Sequence, residues 1–199
     1  MKNQFIELLK KRRSIYHLGT DIALSQTTIN KIIEEAVKYT PSAFNSQSVR
    51  VLILYEEQNK KFWQIVYNCL QAIVPEEKFA PTAKKISSFA AGYGSVIFFD
   101  DTNTIEELQK KFPLYKDNFP IWAEQANGMA QLTVWTALAE ENIGASLQHY
   151  NPLIDEDVKK EWQLPPKWKM IAQMPFGSIE TAPEEKTFLP IDKMVMIKK

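Results

Sequence analysis

Two short segments near the N-terminus carry side chains whose types and spacing suit ligand chemistry. The first places Arg12 and Arg13 directly before Ser14, at the end of a basic run that starts at Lys10. Guanidinium groups and a hydroxyl suit a phosphate, because charge-assisted hydrogen bonds contribute about 1.5 to 3 kcal/mol each. The same cations also favour the negative pole of a helix dipole at a helix end, so the basic run alone leaves both interpretations open.

The second segment offers side-chain amides beside a proline turn. Asn45 and Gln47 follow Pro41, Ser42 and Phe44. Amides supply both donors and acceptors, which suits the edge of a planar heterocycle, and their spacing of two predicts that both lie on one side of an extended segment. A polar loop between a helix and a strand is the alternative. Together, the two segments are typical of a site for flavin mononucleotide (FMN).

Length and charge narrow the class of protein. The 199 residues suit one domain, spanning residues 1–199. Lys plus Arg and Asp plus Glu are equal at 24 each, so no global field attracts nucleic acid or an anionic membrane. We therefore expect a small-molecule ligand and no nucleic-acid partner, since the basic run has no second basic patch to support it.

Cysteine usage and hydropathy predict a cytoplasmic protein with no membrane partner. Cys69 is the lone cysteine and cannot form an internal disulfide. Residues 1–10 lack the apolar core of a signal peptide, and the apolar runs are far shorter than the roughly 20 residues of a membrane helix. No cluster with metal-ligand spacing and no Ser/His/Asp triad is evident, so we expect no metal site.

Hydrophobic periodicity predicts helices and strands that alternate irregularly, which indicates an α+β fold with helices packed around one sheet. A first helix contains Phe5 and Leu9, and a second begins at an N-cap Ser25. Further helices are predicted over 62–73, 119–142 and 155–162, the long one ending at Gly144. Strands are predicted over 49–55, 95–100, 145–147, 169–174 and 194–197, the first of them central in the sheet.

Four blocks of sequence together resemble a known family. They are Arg12–Tyr16, Pro41–Ser48, Glu141–Pro152, and Pro175-Phe176-Gly177 followed by Glu185-Lys186. In this order and spacing the chain resembles the FMN-dependent nitroreductase family, in its short bacterial and fungal Frm2-like branch, which includes copper-induced nitroreductases. The resemblance covers nearly the whole chain.

The resemblance implies a nitroreductase-like fold with a central mixed, largely antiparallel sheet surrounded by helices. It also implies a homodimer with two flavins at the subunit interface, each held by both chains, and with C-terminal extensions exchanged between partners. The tail at residues 178–199 and the small residues Ala123, Ala126, Gly128 and Ala130 of the long helix suit those roles. Packing within one chain explains the helix equally well from periodicity alone.

Roles for individual residues follow from the same resemblance. Lys186 joins the two arginines and Ser14 at the phosphate, while the amides of Asn45 and Gln47 meet the pyrimidine edge of the flavin. Pro41 and Ser42 bring backbone against the ring, and Phe44 walls the substrate cleft. Gln148 is expected near the flavin and His149 near the substrate, although a lone histidine is more often a structural hydrogen-bonding group.

One position departs from the wider family. Many relatives carry a lysine two residues after the serine of the first block, close to flavin N1, whereas this chain has Tyr16. A phenol carries no positive charge, so stabilisation of reduced flavin must be weaker or come from another group, for which Arg50 is a candidate.

The implied activity is two-electron reduction of nitroaromatics or quinones by NADH or NADPH, with hydride transfer through flavin N5 and ping-pong kinetics. A role in stress response or detoxification fits this chemistry. The alternative is an FMN-binding stress or regulatory protein whose turnover is incidental, because holding the cofactor and using it need nearly the same residues.

Overall fold

The computed structural model describes residues 3–199 of the chain. In these residues, helices surround one sheet. The helices are α1 (Gln4–Lys11), α2 (Gln26–Lys38), α3 (Glu56–Gln71), α4 (Glu76–Ala90), α5 (Thr102–Lys111), α6 (Phe119–Glu140) and α7 (Asp155–Glu161). The strands are β1 (Leu18–Gly19), β2 (Val49–Tyr55), β3 (Gly94–Asp101), β4 (Gly144–Ala145) and β5 (Trp168–Ile179). The α+β fold class is confirmed.

The sheet has the order β1-β5-β3-β2, with β4 also paired to β5, and every one of these strand pairs is antiparallel. An isolated parallel bridge joins Ser14 to Ala145. The prediction that residues 49–55 form a central strand was wrong, because β2 lies at an edge of the sheet. Its sequence is apolar because helices cover both faces of the strand. Hydropathy shows that the faces of a strand are covered, but it does not show whether other strands pair with both of its edges.

The core fills both faces of the sheet, and β3 supplies alternate side chains to each. Val96 and Phe98 pack with α2 and α6, whereas Ile97 and Phe99 pack with α3, α4 and α7. This alternation is the period of two that an extended strand imposes.

Local sequence explains where two of the helices begin and end. α2 starts after Ser25, whose Oγ accepts the Thr28 N–H at 3.2 Å, as predicted. The end of α6 differs from the prediction: Asn142, with φ of 62°, takes the left-handed position. Its N–H donates to the Ala139 carbonyl at 3.1 Å, and the Ile143 N–H donates to that of Leu138 at 3.0 Å, which is a Schellman ending. Gly144 instead begins β4.

Two helices were not predicted, and two predicted strands need correction. α4 and α5 were not predicted, since Pro81 interrupts the periodicity of α4 and α5 buries few side chains. β5 continues through Pro175-Phe176-Gly177, because β3 and β4 pair with it there. Residues 194–197 form no strand, since no strand of the described chain pairs with them and their side chains are exposed. No helix in residues 3–199 is long and apolar enough to cross a membrane.

Candidate functional site

The basic segment runs from the end of α1 into the sheet with alternating side chains. The Ile15 N–H donates to the Ala145 carbonyl at 2.9 Å, and the Ile15 side chain is buried. Neighbouring side chains alternate along extended backbone, so Ser14 and Tyr16 are presented on the other side. There they line a cleft of about 630 Å³ formed by residues 12–17 and 181–187, which we call the basic cleft.

The basic cleft unites half of the predicted cofactor residues, from opposite ends of the chain. They are Arg12, Arg13, Ser14, Tyr16 and Lys186. The carboxylates of Glu184 and Glu185 also line it, so three of these lining side chains are cations and two are anions. Among the described residues neither arginine forms a salt bridge.

The two arginines have different surroundings. Arg12 lies with its guanidinium 4.3 Å from the centre of the Trp135 ring, and its buried Nε has no hydrogen-bond partner within residues 3–199. Burial, and secondly the charge of Arg13, lower the pKa of Arg12. Arg13 donates from Nη2 to the Glu184 carbonyl. A dianionic ligand relieves the repulsion between the two guanidinium groups and offers acceptors to both.

The second predicted segment, residues 41–50, forms a tight turn that we call the ring segment. The Gln47 N–H donates to Ser42 Oγ, and the Asn45 N–H donates to the Ser42 carbonyl, both at 3.0 Å. Phe44, Asn45 and Gln47 have φ of 56°, 50° and 50°, a left-handed backbone that costs free energy for residues other than glycine. The prediction of an extended segment with both amides on one side was therefore wrong.

The ring segment borders a second, smaller cleft of about 170 Å³. Pro41, Ser42, Gln47 and Arg50 line it, whereas the exposed Asn45 side chain lies outside it. In the described chain this cleft shares no lining residue with the basic cleft. One chain therefore presents the two halves of the predicted site as two separate surfaces.

Arg50 is held by the protein itself. Its Nη2 pairs with Asp101 Oδ2 at 2.9 Å, and its Nη1 donates to the carbonyls of Gln47 at 2.7 Å and Val49 at 3.0 Å. A guanidinium with these partners has its charge matched, which weakens the hypothesis that Arg50 replaces the cation missing at Tyr16. Asp101 was not identified from the sequence, because an ion pair across 51 positions leaves no local pattern.

Phe44 projects into a group of aromatic rings that the sequence analysis did not assign to the site. The ring centres of Phe112, Phe119, Tyr115 and Trp122 lie 4.8, 5.3, 5.8 and 6.0 Å from that of Phe44. Trp122 is nearly parallel to Phe44, at 21°. The four rings around Phe44 come from the end of α5, the turn that follows it and the first turns of α6, and the sequence signal was the concentration of four aromatic residues within residues 112–122. We call these five residues the aromatic wall.

Gln148 and His149 lie outside both clefts. Gln148 is buried, and its backbone exchanges hydrogen bonds with Gln173 at 2.7 and 2.9 Å. Its Nε2 donates to Ser146 Oγ at 3.1 Å. His149 is exposed. In this chain, Gln148 holds the connection after β4 against β5.

The chain matches a known protein family over most of its length. The Nitroreductase family model matches residues 9–178. Two Saccharomyces cerevisiae proteins named as nitroreductases are similar over most of their length. HBN1 is 36% identical over 191 residues and FRM2 33% over 187, covering 94% and 93% of both chains respectively.

Solved structures give the same result. Nitroreductase CinD from Lactococcus lactis in complex with chloramphenicol is 45% identical, with a TM-score of 0.91, and the alignment covers 98% of this chain and all of that one. CinD is also similar in its complexes with 4-nitrophenol and nicotinic acid. At 17% identity and a TM-score of 0.73, a Desulfovibrio desulfuricans structure in complex with FMN shares the fold. The chain belongs to the nitroreductase family, in the branch of FRM2 and HBN1, and is an oxidoreductase acting on nitro compounds.

Proposed function

We propose that residues 1–199 form one FMN-binding domain that uses NADH or NADPH to reduce nitroaromatics or quinones. The observation that carries the proposal is the basic cleft, where Arg12, Arg13 and Lys186 surround a space of about 630 Å³. In the part of the chain that the structure describes, the buried Arg12 Nε has no hydrogen-bond partner and no carboxylate forms a salt bridge with Arg12 or Arg13. A phosphate dianion fits this donor set, since it offers acceptor oxygens to both guanidinium groups and to the Ser14 hydroxyl.

The isoalloxazine ring is assigned to the ring segment. Gln47 and Asn45 have amides that match the alternating carbonyl and N–H groups of the pyrimidine edge. Pro41 and Ser42 line the small cleft together with Gln47, and Asn45 lies outside it. Tyr16 offers a hydroxyl but no charge, so reduced flavin is expected to be less stabilised here than with a lysine at that position.

A homodimer completes each site, because one chain presents the two half-sites as separate surfaces. Other features support this arrangement. α6 leaves the apolar side chains of Ile121, Met129 and Leu132 exposed, and nothing in the described chain lies within 4 Å of a Cβ added at Gly128. The tail exposes a run of large apolar side chains, namely Phe188, Leu189, Ile191, Met194, Val195, Met196 and Ile197. Burying them requires another surface, for which exchange with a second copy is the proposed solution.

When bound, FMN supplies a ring N5 that accepts hydride from NAD(P)H and returns two electrons to the acceptor, an order that gives ping-pong kinetics. The chain's own residues bind and orient. The basic cleft fixes the phosphate, the ring segment fixes the pyrimidine edge, and the aromatic wall gives flat molecules an apolar surface that excludes water.

The relatives' ligands support the proposed substrate class. Chloramphenicol and 4-nitrophenol, bound in CinD structures, are nitroaromatics, and nicotinic acid shares its pyridine ring with nicotinamide. Flat rings of this kind match the aromatic wall. We place the activity in the cytoplasm, in agreement with the lone Cys69, and in detoxification or stress response.

The test is a pair of anaerobic half-reactions on protein reconstituted with FMN. NADH and NADPH are added separately, and we expect flavin absorbance to fall with at least one of them. Addition of 4-nitrophenol or a quinone should then restore the flavin absorbance. In steady-state kinetics, double-reciprocal plots at several acceptor concentrations should give parallel lines. Bound flavin that neither nucleotide reduces, or that no acceptor reoxidises, would contradict the proposal and favour an FMN-binding regulatory protein.

A further inference from the structure

The ring segment has a strained backbone, which requires contacts with neighbouring groups to keep its conformation. Phe44, Asn45 and Gln47 all have left-handed φ values, and none is glycine. Such conformations persist only where neighbouring groups fix them. The hydrogen bonds from the Asn45 and Gln47 N–H groups to Ser42 close the turn at its start.

Arg50 fixes the turn at its other end. One guanidinium nitrogen binds the Gln47 carbonyl at 2.7 Å and the Val49 carbonyl at 3.0 Å, and the other binds Asp101 at 2.9 Å. The Arg50 and Asp101 side chains are 33% and 17% exposed, so solvent screens this ion pair less than a surface pair. The planar fork of arginine suits these divergent acceptors, which an ammonium group does not match.

Asp101 connects the turn to the end of β3 and the start of α5. Its N–H donates to the Ser48 carbonyl at 2.9 Å. Its Oδ1 caps α5 by accepting the Asn103 N–H at 3.1 Å, while Oδ2 accepts from Arg50. The hydrogen bond to the N-terminus of α5 thus fixes the orientation of the carboxylate that pairs with Arg50.

We propose that the Arg50–Asp101 pair positions the flavin-binding turn, holding Phe44, Asn45 and Gln47 in the left-handed conformation that presents the side-chain amides of Asn45 and Gln47. Arg50 and Asp101 are positioning residues and act through the turn. The identity of the ligand rests on the proposed function, but the effect of the pair on the turn does not.

The informative variant is Asp101→Asn. Asparagine caps helices as well as aspartate does, so α5 keeps its cap while the charge that orients Arg50 is removed. Arg50→Lys keeps a cation but loses the fork. Glu106→Gln is the matched control, because Glu106 lies on the same helix as the Asp101 cap but pairs with Lys167 and not with Arg50.

Two readouts separate positioning from simple stability. The first is hydrogen exchange of the backbone N–H groups of Asn45, Ser46 and Gln47 in flavin-free protein. The second is the FMN dissociation constant, measured by quenching of FMN fluorescence. For Asp101→Asn and Arg50→Lys we expect protection of these amides to fall and the dissociation constant to rise, each about tenfold, with exchange elsewhere unchanged. Glu106→Gln should behave like the parent protein.

The outcomes are decisive. Unchanged protection in Asp101→Asn would overturn the inference, as would reduced protection with an unchanged FMN dissociation constant. A parent protein that binds no FMN would contradict the proposed function instead, and the exchange result on flavin-free protein would still decide whether the pair holds the turn.

Discussion

At the scale of single residues, the two adjacent arginines of the basic cleft have different environments. Arg12 packs over Trp135 with a partly buried guanidinium, whereas Arg13 reaches the tail at Glu184. Their residue types were enough to predict a phosphate site from the sequence. Their environments were not, because Trp135 and Glu184 are distant in sequence and are brought close only by α6 and the tail.

Arg13→Ala should weaken FMN binding about 10- to 100-fold, since it removes a charge-assisted hydrogen bond worth about 1.5 to 3 kcal/mol. Ser14→Ala, which removes a neutral donor, should have a smaller effect. The measurement is a fluorescence titration with FMN. Lys10→Ala is the control, because Lys10 pairs with Glu7 at 2.8 Å and lies outside the cleft. Equal affinities for Arg13→Ala and Lys10→Ala would move the phosphate elsewhere.

Asp100 provides a prediction on pH dependence. It is buried on β3, and burial raises its pKa, although a hydrogen bond from Asn127 at 3.1 Å and the charge of Lys169 oppose the rise. The folded protein therefore keeps this proton to higher pH than the unfolded chain. The stabilisation from this group is complete below the unfolded-state pKa and is lost as pH rises through the folded-state pKa.

Asp100→Asn cannot ionise and keeps an oxygen that accepts from Asn127. We expect it to raise the free energy of unfolding at about pH 7 relative to the parent, with a smaller gain at about pH 4. Urea unfolding at both values measures this, with the exposed Asp117→Asn as control. A variant that is less stable than the parent at neutral pH would contradict the account.

At the scale of elements, sequence patterns located most helices and strands but misjudged some of their ends and neighbours. α1, α2, α6 and α7 were predicted because each has apolar periodicity or a recognisable cap. The edge position of β2 was not predictable, since strand order depends on pairings distant in sequence. The turn at residues 44–47 was missed because a left-handed backbone is unfavourable for Phe44 and Gln47, so local propensity does not predict it.

The end of α6 gives an element-scale test. Asn142→Gly should raise the free energy of unfolding slightly, and Asn142→Ala should lower it by about 1 kcal/mol, because only glycine adopts a left-handed φ without cost. Gly144→Ala should also destabilise, since the added Cβ lies 2.9 Å from Ile179 Cγ1 and 3.1 Å from Ile15. Thermal unfolding measures all three. A stabilised Asn142→Ala would disprove the Schellman ending.

The aromatic wall gives a second test at this scale. Trp122→Leu removes the ring that lies nearly parallel to Phe44, and we expect the KM for 4-nitrophenol to rise about 2- to 10-fold with FMN affinity unchanged. Steady-state kinetics on flavin-saturated protein measures this. The matched control is Trp162→Leu, a half-buried tryptophan that packs in the cluster around Phe62. An equal change of KM in both variants would mean that the aromatic wall only stabilises the fold and does not contact the substrate.

At the scale of the whole molecule, the proposed FMN site depends on a second copy of the chain. The fold class and family followed from ordered sequence blocks spread along nearly the whole chain. Sequence alone did not reveal that the basic cleft and ring segment are separate surfaces of one chain, because that separation depends on where Lys186 and Pro41 lie in three dimensions. The exposed apolar side chains of the tail and of α6 form the surface that we propose for contact between the two chains.

Mixed dimers test this central claim most directly. One subunit carries Arg12→Ala and Arg13→Ala, the other carries Asn45→Ala and Gln47→Ala, and different affinity tags allow the mixed dimer to be purified. If each FMN is held by the basic cleft of one chain and the ring segment of its partner, the homodimer of either variant has no intact site and loses flavin. The mixed dimer keeps one intact site, formed by the unchanged basic cleft of one subunit and the unchanged ring segment of the other. We predict that the mixed dimer binds one FMN, measured by flavin absorbance. A mixed dimer as colourless as both homodimers would contradict the account.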